Sequence, residues 1–195
     1  MDLEPRRPGA RGQNVNPANV LTAARLVAAP IIVWLVARNS LAAAFWLFVA
    51  AGLTDVADGY VAKRLNAATD FGRYFDPAAD KVLLVSVYVS LGLADLIAAW
   101  LVGLVVARDL VLVAGALALR ASSRSFAPDP LLISKINTLA QVVLTAVVLF
   151  AAGHDLRWSA FIEAFVFAVG ATTVASGVAY VAIQGRRVLA RGNAR

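Results

Sequence analysis

Most of this chain is taken up by apolar runs that approach or exceed the roughly 20 residues a helix needs to cross a bilayer. Of its 195 residues, 61% are hydrophobic, and the mean hydropathy is +0.75. That is far above the roughly 45–50% apolar share of a soluble domain. We expect six segments, near residues 19–38, 41–65, 72–93, 95–119, 131–152 and 158–185. Short polar breaks such as Arg38-Asn39-Ser40 and the stretch Arg120 to Pro130 separate them. The expected fold class is all-α, a polytopic membrane protein with six transmembrane helices. A polar N-terminal segment (1–18) precedes a single six-helix domain (19–187), and a basic tail (188–195) follows. The basic start with Arg6, Arg7 and Arg11 imitates a secretory signal. The run from Val20 to Ala37 is long for one and carries Arg25 and Pro30, so it is expected to stay as a membrane helix.

Charge sets the orientation. The net charge is +6 with a pI near 10.3, but the basic residues cluster at segment ends rather than in a nucleic-acid-binding patch. No nucleic-acid partner is expected; anionic lipid is the natural counterpart. With a cytoplasmic N-terminus, Lys63, Arg64, Arg73, Arg120, Arg124, Arg186 and Arg187 fall on the cytoplasmic side, and only Arg38 and Arg157 fall opposite. The positive-inside rule then places both termini in the cytoplasm, as an even number of spans requires. The chain has no cysteine, which removes disulfides, thiolate nucleophiles and zinc–thiolate sites.

Against that apolar background stand two pairs of carboxylates at helical spacing: Asp55 with Asp58, and Asp76 with Asp80. A carboxylate at a membrane helix centre costs at least about 2.5–3.5 kcal/mol on insertion scales, so the group needs a reason. The pairs are three and four residues apart, spacings that put each pair on one helix face. A turn near Asn66 to Asp70 would bring the two helices back antiparallel and converge all four. Unpaired, they would repel and protonate. Oxygen donors without His or Cys select hard divalent cations, and two of those suit in-line phosphoryl displacement. A proton or cation pathway, or ion pairs with Lys63 and Lys81, are the other readings of the same residues. Gly59, Ala62, Ala67, Ala68, Gly72, Ala78 and Ala79 lie among the acids, where small side chains admit a ligand against the backbone or let helices pack.

The string around these acids resembles the signature of the CDP-alcohol phosphatidyltransferase family: D-x-x-D-G-x-x-A-R, eight residues, then G-x-x-x-D-x-x-x-D. Here it is carried by Asp55, Asp58, Gly59 and Ala62, then Gly72, Asp76 and Asp80, with every spacing matched. The family's Arg is Lys63 here, with Arg64 next to it, and a point charge replaces a planar fork. The opening Asn19-Val20-Leu21-Thr22-Ala23-Ala24-Arg25 looks like the N-L-L-T-x-x-R start of such enzymes. The resemblance implies that two divalent cations, Mg²⁺ or Mn²⁺, sit on Asp55, Asp58, Asp76 and Asp80, with Asp80 also the general base. It implies that cytidine diphosphate lies against Gly59, Ala62, Lys63, Gly72 and Thr22. It further implies a homodimer, and an active site facing the cytoplasmic side of a bacterial inner membrane or its equivalent.

The second half resembles the CMP-forming cardiolipin synthase branch, through Tyr88-Val89-Ser90-Leu91, Ala107-Arg108-Asp109, Ile133-Ser134-Lys135-Ile136-Asn137-Thr138 with Gln141, and Thr172-Thr173 to Tyr180. That branch joins CDP-diacylglycerol to phosphatidylglycerol. Arg108 and Lys135, expected to be buried, and Arg25 would then hold the acceptor phosphate. Adjacent residues do not face each other on a helix, so Arg108 is expected to pair with an acid across the bundle rather than with Asp109. Glycerol 3-phosphate is the alternative acceptor, as in phosphatidylglycerophosphate synthases, but a soluble, doubly charged acceptor should want more basic residues than segments four and five offer. A carboxylate-lined cation transporter is the reading of another class; it predicts acids spread over the membrane depth and two matching halves, and neither is found. His154 reads as a solvated loop residue, and Trp34, Trp46, Trp100 and Trp158 as interface anchors. Pro77 reads as a first-turn or kink residue and Glu163 as an acid without an assigned role. The small residues from Gly170 to Gly177 read as a helix-packing face.

Overall fold

The computed structural model describes the backbone over residues 17–65, 70–121 and 132–192, with side chains over 24–54, 81–115 and 132–183. Six helices make it up: α1 (Pro17–Ala37), α2 (Leu41–Leu65), α3 (Asp70–Leu93), α4 (Ala99–Ala121), α5 (Leu132–Gly153) and α6 (Ser159–Gly192). There is no strand among the described residues. Each helix follows one apolar run of the sequence.

Three of the connections use the same device. Asn39, Asp95 and Asp155 take φ of 56°, 55° and 54°, the left-handed conformation that ends a helix. Ser40 N–H donates to Leu35 O at 2.9 Å, Leu96 N–H to Leu91 O at 2.9 Å, and Leu156 N–H to Ala151 O at 2.9 Å. Each closes the six-to-one bond of a Schellman cap, which satisfies a carbonyl the helix end would otherwise leave open. Asn and Asp stand where Gly is usual because their short polar side chains tolerate this conformation. The cap also explains one difference from the sequence expectation. α4 starts at Ala99 rather than near 95, because residues 94–98 are spent on the reversal.

The neighbour relations close a circuit: α1 packs on α2 and α3, α2 on α5, α5 on α6, α6 on α4, and α4 on α3. α3 and α5 also touch across it. Its centre is apolar, with Ile32, Val87, Leu101, Val105, Leu144 and Val169 buried. The outside is apolar as well: Leu93, Leu110, Leu139 and Phe167 are exposed, as are all four tryptophans. Among the described residues, Leu132–Gly153 and Ser159–Ile183 are long and apolar enough to cross a membrane.

One close approach locks the end of α5 against the start of α2. A Cβ on Gly153 would fall 2.5 Å from Ala42 N and 2.8 Å from its Cα. Backbone atoms cannot step aside as a side chain can. Gly153→Ala is expected to cost about 1–3 kcal/mol of stability, the usual range for overpacking. A thermal melt in detergent checks this, with Gly103→Ala, which meets nothing within 4 Å, as the neutral control.

A polar seam runs through the apolar bundle. Asn137, Gln141, Thr145, Thr173 and Ser176 are buried. Asn137 Oδ1 accepts from Thr172 and Thr173 at 2.8 and 2.9 Å, Gln141 Nε2 donates to Thr173 at 3.4 Å, and Tyr88 OH donates to Gln141 O at 3.3 Å. These bonds join α5 to α6 and to α3 in surroundings where an unmet polar group is costly.

Candidate active site

Inside the circuit lies a cavity of about 310 Å³. Its walls carry Arg25 from α1, Ala51 and Gly52 from α2, Lys81 from α3, Asp109 from α4 and Gln141 from α5. A smaller cavity of about 170 Å³ between α1 and α2 shares Arg25 and Ala51 and is bordered by Thr54. Arg25 is buried, at 5% exposure, so both cavities meet at a cation set into the wall.

The acid-bearing parts of two helices adjoin these cavities along the chain. Thr54 directly precedes Asp55, and Lys81 directly follows Asp80. α2 remains helical through Asp55 and Asp58, and α3 through Asp76 and Asp80, so each pair shares a helix face as its spacing requires. The side chains of the four acids, and those of Thr22, Gly59, Ala62, Lys63 and Gly72, lie outside the described residues. So does the turn at 66–69 that the hairpin expectation rests on. Among the described residues, α2 and α3 each pack on α1 and not on one another.

Two expectations are corrected. Arg108 does bond its neighbour: Nη1 donates to Asp109 Oδ1 at 2.7 Å. Adjacent Cβ atoms diverge around a helix, but the arginine stem is long enough to curl back to the short carboxylate. Arg108 Nη2 donates to Ser134 Oγ on α5 and to Ser176 Oγ on α6, the latter at 2.8 Å. Lys81 Nζ lies 2.9 Å from the same Asp109 Oδ1. The second correction concerns Lys135, which is exposed rather than buried beside Arg108. The inward face of α5 runs through Asn137, Gln141 and Thr145. Ser134 stands above Asn137 on that face, and Lys135 is one position round, turned outward by about 100°.

The Lys81–Asp109 bridge and the serine partners of Arg108 are site features that sequence reading missed. A signal was present, since Asp109 is the only acid in the apolar stretch 99–121 and Lys81 follows the last motif acid. His154 and Glu163 are exposed, and His154 Nδ1 lies 2.9 Å from Phe150 O at the end of α5.

Comparison with known proteins identifies the family. The model of the CDP-alcohol phosphatidyltransferase family matches residues 15–178, from before α1 into α6. The chloroplastic CDP-diacylglycerol–glycerol-3-phosphate 3-phosphatidyltransferase 1 of Oryza sativa subsp. japonica is 34% identical over 190 residues, 88% of this chain and 58% of that protein. The cardiolipin synthase (CMP-forming) of Homo sapiens is 32% identical over 178 residues, 83% of this chain and 59% of that protein. The CDP-diacylglycerol–glycerol-3-phosphate 3-phosphatidyltransferase of Bacillus subtilis (strain 168) is 34% identical over 110 residues, 56% of this chain and 54% of that protein. The chain thus spans less than two thirds of the length of each of these relatives. Matched from its first helix into its last, with the motif acids on two helices that wall one cavity, the chain belongs to the CDP-alcohol phosphatidyltransferase family.

Proposed function

We propose that this chain is a CMP-forming cardiolipin synthase, transferring the phosphatidyl group of CDP-diacylglycerol to phosphatidylglycerol. All six helices then cross the membrane, both termini are cytoplasmic, and the acid-bearing ends of α2 and α3 face the cytoplasmic side, where the nucleotide is released. The protein works as a homodimer in this reading.

The four carboxylates fit a pair of hard cations: all donors are oxygen, and they are spaced on successive turns of two helices. Two divalent cations, Mg²⁺ or Mn²⁺, held by Asp55, Asp58, Asp76 and Asp80 would neutralise the pyrophosphate and the leaving CMP. The chain's own residues do the rest. Gly59, Ala62, Lys63, Gly72 and Thr22 seat the cytidine diphosphate. Asp80 takes the proton of the acceptor hydroxyl as its oxygen bonds to the phosphorus bearing diacylglycerol, and the bond from that phosphorus to CMP breaks. Arg25, buried in the cavity wall, holds the acceptor phosphate so that its glycerol approaches that phosphorus.

The observation that carries the choice of acceptor is the cavity's charge. Its described walls hold two cations, Arg25 and Lys81, against one carboxylate, Asp109. Two cations, rather than a larger basic cluster, suit a phosphodiester, which is a monoanion, better than a phosphate monoester. The outward position of Lys135 keeps a further cation away from the cavity. Glycerol 3-phosphate is the second reading, favoured by the names of the Oryza and Bacillus relatives.

An acceptor panel tests this. Purified protein with radiolabelled CDP-diacylglycerol is offered phosphatidylglycerol, glycerol 3-phosphate, inositol phosphate or serine. Cardiolipin plus CMP should form with phosphatidylglycerol at least about tenfold more efficiently than any product from glycerol 3-phosphate, a modest ratio for a charge-selective site. The reverse ratio would replace the first reading by the second. No metal-dependent CMP release with any acceptor would remove both.

A further inference from the structure

A chain of polar contacts joins four helices at one level of the bundle. Lys81 Nζ on α3 lies 2.9 Å from Asp109 Oδ1 on α4, and the same oxygen accepts from Arg108 Nη1 at 2.7 Å. Arg108 Nη2 donates in turn to Ser134 Oγ on α5 and to Ser176 Oγ on α6. The chain enters α3 one residue past Asp80 and five past Asp76, about 1.5 and 7.5 Å along the helix axis.

The contact on α3 contributes little to stability, because Lys81 is 38% exposed at its side chain and water competes for its ammonium. Its acceptor is nevertheless rigid. Asp109 is buried, and Arg108 on its other side is fixed by hydroxyls from two further helices. What such a tie supplies is direction. Further along α3 the buried face is largely apolar, with Leu84, Val87 and Leu91 in the core. Near the reversal, a Cβ on Gly92 would fall 2.7 Å from Val102 Cγ2 on α4. That close approach is about 16 Å along α3 from Lys81. Apolar packing is non-directional and tolerates rearrangement, so it sets the rotation of the acid-bearing end loosely. Among the described residues α2 and α3 do not pack on one another, so ties to other helices help to set how their acid pairs face. The margin is small. A turn of α3 by about 20° would move a carboxylate at its rim, about 6 Å from the axis, by about 2 Å. A metal site holds its ligand distances to within about 0.2 Å.

We propose that Lys81 and Asp109 are positioning residues. Their bridge sets the rotation of α3, and with it the separation of Asp76 and Asp80 from Asp55 and Asp58 that a pair of divalent cations requires. The step rests on the metal-assisted transfer proposed above but not on which alcohol is the acceptor. It makes a prediction of sign that distinguishes it from a simple charge effect. A lysine that merely adds positive charge beside dications opposes their binding, so its removal would tighten them. A lysine that orients their ligands supports binding, so its removal loosens them.

The test measures Mn²⁺ binding to the full-length protein in phosphatidylcholine nanodiscs without substrate, by the electron paramagnetic resonance signal of free Mn²⁺. Lys81→Met is expected to weaken Mn²⁺ affinity about tenfold or more, the usual effect of losing a partner that orients a ligand. Its kcat for CMP release should fall while its melting temperature stays near that of the parent. Lys81→Arg, whose guanidinium can also reach Asp109, should restore both affinity and kcat. Asp109→Asn should weaken Mn²⁺ as well, and the double variant Lys81→Met with Asp109→Asn should be no worse than the weaker single variant, because both act through one contact. Tighter Mn²⁺ binding by Lys81→Met would overturn the proposal and leave Lys81 as a charge alone. Unchanged Mn²⁺ affinity with a raised KM for phosphatidylglycerol would overturn it too, since Lys81 would then touch the acceptor instead. Additive losses in the double variant would remove the bridge as their common cause. No saturable Mn²⁺ binding by the parent protein would remove the metal-assisted reading itself, and this proposal with it.

Discussion

Asp80→Asn is expected to lower kcat by about 10³-fold or more while leaving the melting temperature in detergent near that of the parent. Asparagine has the size of aspartate but cannot take a proton from a hydroxyl, and loss of a general base alone is worth about 10²–10⁴-fold. If Asp80 also ligates a cation, the neutral amide weakens that too. The two roles can be separated. Asp55→Asn, Asp58→Asn and Asp76→Asn should lose activity that high Mn²⁺ or Mg²⁺ partly restores, since their role in this reading is ligation. The kcat loss of Asp80→Asn should persist at saturating metal. CMP release from CDP-diacylglycerol measures both. Turnover within tenfold of the parent would remove Asp80 from the base position and leave the proton to another group.

How far the sequence could be read follows from what each residue depends on. Helix number and position were legible because apolar length is a local property. The apolar segments read from the sequence agree with helices α1, α2, α3, α5 and α6 to within a few residues at most of their ends, and α4 differs at its start by the length of a Schellman cap. The motif acids were legible for a similar reason: their spacing is written along one strand of text, and helices through Asp55 and Asp58 and through Asp76 and Asp80 preserve it. Arg108 was misread because its environment depends on three helices at once. Which acid and which hydroxyls meet it is decided by how α4 lies against α5 and α6, and no one-dimensional pattern records that. The adjacency rule also treats side chains as rigid spokes, whereas an arginine can bend round to the residue beside it. Lys135 shows the smaller version of this error. Its segment is apolar enough to suggest burial, yet a single step of about 100° from the buried face of α5 is enough to put it outside.

The largest stability effect should come from Asp109, which belongs to none of the motif acids. Its side chain is 9% exposed and its Oδ1 meets Arg108 Nη1 at 2.7 Å and Lys81 Nζ at 2.9 Å. The two partners do not depend on it equally. Lys81 is 38% exposed at its side chain and can turn toward water, so its share of the pairing is about 0–1 kcal/mol, as for surface pairs. Arg108, at 4% side-chain exposure, has no such escape. Asp109→Ala should therefore destabilise the protein by about 3–5 kcal/mol, the usual cost of stranding one member of a buried pair, whereas Lys81→Met should cost about 1 kcal/mol or less. Removing both charges tests whether the loss is electrostatic. Arg108→Met with Asp109→Leu should recover most of the stability, because an apolar pair of similar volume leaves no buried charge to compensate. Activity should not recover with it, because Lys81 is then left without Asp109. Detergent melts and CMP release on the same three variants decide the matter. A double variant as unstable as Asp109→Ala would mean that packing, and not the stranded guanidinium, sets the loss. A double variant with full activity would mean that Asp109 and Arg108 serve only to tie α4 to its neighbours.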